Sequence, residues 1–144
     1  MRRTLTLMAG LVGLMLLAQP EAWAPTVGQP PAPGYPPCTK VGDDGPDVIK
    51  GTKKRDVICP DEGNDVVYGR GGNDVIFGGN GVDRLYGGPG RDVLIGASQD
   101  DCMVATDGEV DKLKGNRGHD RYEADPIDII DGSNEQAADC WAGG

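Results

Sequence analysis

The chain has 144 residues, room for one ordinary domain, and its 24 glycines, 11 prolines and 5% aromatic content exclude a core of long helices. The formal net charge is −9, which argues against nucleic acid and anionic membrane surfaces as partners, since both recruit Lys and Arg. Of the acidic residues 18 are Asp and only five Glu, a bias toward turns and oxygen ligands rather than helices.

Residues 1–24 read as a secretory signal peptide. Arg2 and Arg3 precede an apolar run from Leu5 to Ala18, too short to span a bilayer, and Ala22-Trp23-Ala24 supplies an A-x-A cleavage site. The expected location is therefore extracellular, with no membrane span. Residues 25–37 hold six prolines and read as an extended spacer.

From Gly42 the sequence falls into seven consecutive nonads: GDDGPDVIK, GTKKRDVIC, PDEGNDVVY, GRGGNDVIF, GGNGVDRLY, GGPGRDVLI and GASQDDCMV. The sixth position is Asp in all seven: Asp47, Asp56, Asp65, Asp74, Asp83, Asp92 and Asp101. The eighth is apolar in all seven, from Ile49 through Ile58, Val67, Ile76, Leu85 and Leu94 to Met103. Beyond Val104 the phase slips by one, but Asp111, Asp120 and Asp128 still precede Leu113, Tyr122 and Ile130 by two.

This pattern resembles the hemolysin-type, or RTX, calcium-binding nonapeptide G-G-x-G-x-D-x-U-x, a pairing of motif and ion that is established generally. GGNGVDRLY and GGPGRDVLI match it in full, and GRGGNDVIF lacks only the second glycine. The periodicity agrees on independent grounds. Positions seven to nine alternate around one inward apolar residue, making a very short strand, and the glycines of positions one to six permit a tight turn. Two nonads make one coil with two strands. The expected fold is all-β, a parallel β-roll over residues 38–144 with degenerate C-terminal repeats and a cap.

Stacking such coils sets residues 18 apart above one another, Asp65 over Asp83 and Asp74 over Asp92. Like charges about 5 Å apart repel by roughly 1 kcal/mol in bulk water and more near a protein surface. A divalent cation between turns reverses that sign, and calcium, which accepts six to eight oxygens in flexible geometry, suits carboxylates and turn carbonyls. Zinc is disfavoured, since His119 is the only histidine. The resemblance implies that each ion lies between one turn and the turn two nonads on. The best candidates pair Gly63-Asn64-Asp65 with Gly81-Val82-Asp83, and Gly72-Asn73-Asp74 with Gly90-Arg91-Asp92. Asp47, Asp56 and Asp101 are flanking candidates, although Lys54 and Gln99 stand at position four, where the pattern has glycine.

Four cysteines without a C-x-x-C spacing fit an oxidising compartment and two disulfides. In a regular roll Cys59 and Cys102 lie on opposite sheets and roughly 12 Å apart along the stack, too far to be bridged. The expected pairing is Cys38–Cys59 with Cys102–Cys140, tying each end of the chain to its nearest coils. The outward residues Val57, Val75, Phe77, Val93 and Ile95 should form an apolar stripe, covered by the proline-rich segment or the C-terminal tail, or serving as a protein-docking face. No nucleophile, base or zinc motif is present, so the chain reads as a calcium-binding protein and not an enzyme. Two other readings stay open: an adhesive or envelope structural protein, and an accessory module of a secreted enzyme, each with calcium only as stabiliser.

Overall fold

The computed structural model describes residues 33–132, 136–137 and 140. The signal-peptide expectation lies outside the described residues, as does most of the proline-rich stretch. In chain order the strands are β1 Lys40–Val41, β2 Val48–Lys50, β3 Val57–Cys59, β4 Val66–Tyr68, β5 Val75–Asn80 and β6 Arg84–Tyr86. They continue with β7 Val93–Ser98, β8 Cys102–Ala105, β9 Lys112–Arg117, β10 Arg121–Ala124, β11 Ile129–Ile130 and β12 Gln136–Ala137. No helix occurs among the described residues, and none there is long and apolar enough to cross a membrane.

The odd strands form one sheet in the order β1-β3-β5-β7-β9-β11 and the even strands the other, β12-β10-β8-β6-β4-β2, with every pairing parallel. The chain thus crosses between two facing sheets at each turn and climbs one rung per coil, a β-solenoid of about five turns. The register is 18 residues through the regular nonads, as in Val57↔Val75↔Val93 and Val48↔Val66↔Arg84↔Cys102. It then becomes 19, with Val93 opposite Lys112 and Cys102 opposite Arg121, and falls to 17 where Lys112 meets Ile129.

The eighth-position side chains fill the interior. Ile58, Ile76, Leu94 and Leu113 from one sheet meet Val67, Leu85 and Met103 from the other, all without measurable exposure. Ile49, Tyr122 and Ile130 close the row as partly buried members. Burying a side chain of this size removes about 1.5–3 kcal/mol of unfavourable hydration, so the row of seven holds the coils together without a broad core.

The outward stripe is buried as well. Val57, Val75, Phe77 and Ile95 are 4–6% exposed and pack in a second cluster with Cys38 and Cys59, with Val93 partly buried beside them. The ring of Tyr35 meets Phe77 edge-on at 5.0 Å, so the described end of the proline-rich stretch lies against this sheet. Cys38 and Tyr35 thus cover the part of this face around Val57, Val75 and Phe77. Cys38 bridges Cys59 with Cα atoms 6.0 Å apart, and Cys102 bridges Cys140 at 5.8 Å.

Candidate metal centre

Each turn ends on an aspartate whose side chain is folded inward. Asp65, Asp74, Asp83, Asp92, Asp101, Asp111 and Asp120 are at most 1% exposed. The backbone explains half of this burial. In every one of them Oδ1 accepts the N–H of the corresponding aspartate one coil earlier. Asp47 donates to Asp65 at 2.8 Å, Asp65 to Asp83 at 2.9 Å, Asp83 to Asp101 at 2.9 Å and Asp101 to Asp120 at 2.9 Å. The opposite edge repeats the arrangement from Asp56 through Asp74, Asp92 and Asp111, each step at 2.7 Å. Two aspartate columns thus run along the two edges of the roll.

The second oxygen has no such explanation. Oδ2 of Asp65, Asp74, Asp83, Asp92, Asp101 and Asp111 is buried with no hydrogen-bond partner. Carboxylate oxygens left without a donor inside a protein are costly, each by at least the desolvation of a polar group. Their carboxyl groups respond accordingly. Burial first, and the carboxylates of neighbouring coils after it, push Asp74, Asp83 and Asp111 up to about 6, Asp92 to about 7 and Asp101 to about 8, with the backbone N–H opposing. Asp65 and Asp120 move in the same direction. Desolvation is therefore the first cause of these shifts, and the like-charge repulsion read from the sequence a lesser one.

The first glycine of each nonad shows what surrounds that oxygen. A Cβ placed on Gly78 would fall 2.6 Å from Asp83 Oδ2 and 2.5 Å from the carbonyl oxygen of Gly96, one coil on. On Gly69 it would meet Asp74 Oδ2 at 2.6 Å and also the carbonyl of Gly87. The absent side chain leaves a small cradle lined by a carboxylate oxygen of one coil and a carbonyl of the next. Gly81 sits at a φ of 138°, open to glycine and closed to most other residues, and its Cα faces the carbonyl of Gly63. Gly90 faces the carbonyl of Gly72 in the same way.

Among the described residues no three His, Cys, Asp or Glu side chains gather at one metal position. The carboxylates are strung one per turn, so any ion held here draws on turn carbonyls to complete its shell. Orphaned anionic oxygens beside carbonyls, without nitrogen or sulfur, match a hard cation of calcium's kind.

Not all expected residues join this arrangement. Asp47 Oδ2 accepts the Asp43 N–H at 2.8 Å. Asp56 Oδ2 accepts the Thr52 N–H at 2.6 Å and the Thr52 hydroxyl at 2.8 Å. In these first two turns the oxygen is already engaged. Asn64 and Asn73 brace adjacent coils instead, their Oδ1 atoms accepting from Val82 at 2.9 Å and Arg91 at 3.2 Å. Asp61, Asp111 and Asp120 escaped the sequence reading of the site. Asp111 and Asp120 carried a signal in the Asp-x-apolar spacing that outlived the phase slip. Asp61 carried none: it occupies a glycine position of the motif, yet it is 6% exposed with Oδ1 unpartnered and its carboxyl raised by burial beside Asp44.

A family model for the RTX calcium-binding nonapeptide repeat matches residues 41–58, 61–94 and 77–109. No curated protein and no solved structure gives a match to the chain. RTX nonapeptide repeats bind Ca2+ and form a structural rather than a catalytic family, which agrees with the all-oxygen cradles at the turns. Through residues 41–109 this chain carries RTX calcium-binding nonapeptide repeats, and with them a calcium-binding repeat module.

Proposed function

We propose that the chain is a secreted calcium binder whose roll is completed by the ion. Asp65, Asp74, Asp83, Asp92 and Asp101 would contribute Oδ2, and the turns around Gly63, Gly72, Gly81 and Gly90 their carbonyl oxygens. Bound calcium supplies positive charge where the fold buries negative charge. The chain's own part is to hold each carboxylate by one oxygen on a backbone N–H, so that the other stays aimed and dry. Because these oxygens converge only when coils stack, an ion that binds them favours the stacked state, and binding and folding are coupled. Secretion is supported by the A-x-A motif after the apolar run and by two disulfides, which persist in oxidising compartments.

The observation that carries this reading is the row of six buried, unpartnered aspartate oxygens. Calorimetric titration of the metal-free chain with calcium tests it. Several equivalents of saturable binding, with magnesium a poor competitor, are expected. No calcium binding at all would overturn it.

A further inference from the structure

Both edges of the roll are acidic beneath the surface, where the aspartate columns turn inward, but the side chains outside those columns divide by charge. The turns that run from the even sheet to the odd one, 51–56, 69–74 and 87–92, expose Lys53, Lys54, Arg55, Arg70 and Arg91 and no acidic side chain. The turns that run back, 42–47, 60–65, 78–83 and 96–101, expose Asp43, Asp44, Glu62 and Asp100 and no basic one. Further along the roll the signs exchange. Turn 105–111 exposes Glu109 on the first edge, and turn 115–120 exposes Arg117 on the second. The one ion pair among the described residues is Lys114–Asp131, so none of these edge charges has an ion-pair partner within the molecule.

The coil geometry sets these charges at matching heights. Each coil gives one turn to each edge, so turn 51–56 stands between the levels of turns 42–47 and 60–65, and turn 87–92 between those of 78–83 and 96–101. The half-coil offset is only about 2.4 Å, half the spacing of paired strands. A second copy shifted sideways without rotation therefore sets Lys53, Lys54 and Arg55 against Asp43, Asp44 and Glu62, Arg91 against Asp100, and Glu109 against Arg117. Between these charges lies an apolar contact: Val82, 45% exposed in the uncharged turn 78–83, comes level with the exposed Pro89.

We propose that copies of this chain associate side by side, the basic edge of one against the acidic edge of the next. A free polyanion would meet the same lysines, but it would also meet Glu109 on that edge and a chain of net charge −9. A second copy offers the opposite sign along the whole edge, and charge complementarity of this kind fixes partner and register. Exposed ion pairs are individually weak, so the association is weak and sensitive to salt. Because the two edges differ, the contact does not close on itself and extends as a ribbon.

Sedimentation velocity of the full chain in calcium tests this. At about 0.01 M salt, where charges act across about 30 Å, the sedimentation coefficient should rise with protein concentration. At about 1 M salt, where they act across about 3 Å, it should fall to the monomer value. Two charge-reversed variants address the edges: Lys53→Glu with Lys54→Glu and Arg55→Glu, and Asp43→Lys with Asp44→Lys and Glu62→Lys. Each alone sets like charges together and should stay monomeric. Their equimolar mixture restores opposite charges and should associate, an outcome that damage to either fold would not produce. Should either variant lose the wild-type circular dichroism spectrum, Arg91→Glu and Asp100→Arg take their place with the same pattern expected. A wild-type chain monomeric at both salt concentrations would overturn the proposal, as would folded variants that associate like the wild type or whose mixture stays monomeric. A monomer that binds polygalacturonate, an anionic polysaccharide, and loses that binding when Lys53, Lys54 and Arg55 are reversed would overturn it in favour of a polyanion.

Discussion

A buried carboxylate that gives one oxygen to the backbone and none of the other to any donor is a residue prepared for two states. Protonated, Asp74, Asp83, Asp92 and Asp101 tolerate the interior; ionised, they need a cation. Their folded pKa values, from about 6 to about 8, exceed the ordinary 3.8, so the metal-free roll takes up protons on folding. Stability from this source is fully present below about pH 4 and is lost as the pH rises through 6 to 8. In chelator, the urea midpoint should therefore be higher at pH 4 than at pH 8. Calcium should reverse the trend, because protons compete with the ion for the same oxygen. A chelated midpoint that rises with pH would contradict the burial of ionisable oxygen described here.

At the scale of the element, turns that look alike in sequence differ in what closes them. The turn 51–56 is sealed by Thr52, whose hydroxyl and N–H both occupy Asp56 Oδ2, whereas Asp65, Asp74 and Asp83 have no such partner. Replacing Thr52 by Gly keeps the N–H on Asp56 Oδ2 but removes the hydroxyl, one of that oxygen's two donors. Thr52→Gly is expected to lower stability in chelator by about 1 kcal/mol, the scale of one lost hydrogen bond, and calcium should restore part of it. Equal losses with and without calcium would show that Thr52 only braces the turn. This difference was not legible beforehand, because it hangs on a single rotamer four residues from the aspartate. The strands were legible, since a strict nine-residue period fixes which of Ile58, Ile76, Leu85 and Leu94 points inward. The turn 105–111 kept its Asp-x-apolar spacing but lost its phase, and only the bond from Asp92 to Asp111 shows that the column continues. The covering of Phe77 by Tyr35 joins residues 42 apart in sequence, which no local pattern encodes.

For the molecule as a whole, the repeat leaves two open ends and two acidic edges. The ends are tied by Cys38–Cys59 and Cys102–Cys140, across sequence separations of 21 and 38, which restrain the unfolded chain by about 3–4 kcal/mol each in the loop-entropy account. The edges carry the buried aspartate columns of a chain whose formal charge is −9, and calcium is the cation proposed to neutralise them. An ion present at a hundred times its dissociation constant adds about 2.7 kcal/mol per independent site, so a few sites together rival the disulfides. Thermal unfolding of the chain with its disulfides reduced, in calcium and in excess chelator at pH 7.5, tests this most directly. The melting temperature is expected to be lower in chelator by at least about 10 °C, the shift that goes with two or more kcal/mol in a domain of this size. Superimposable melts would contradict it.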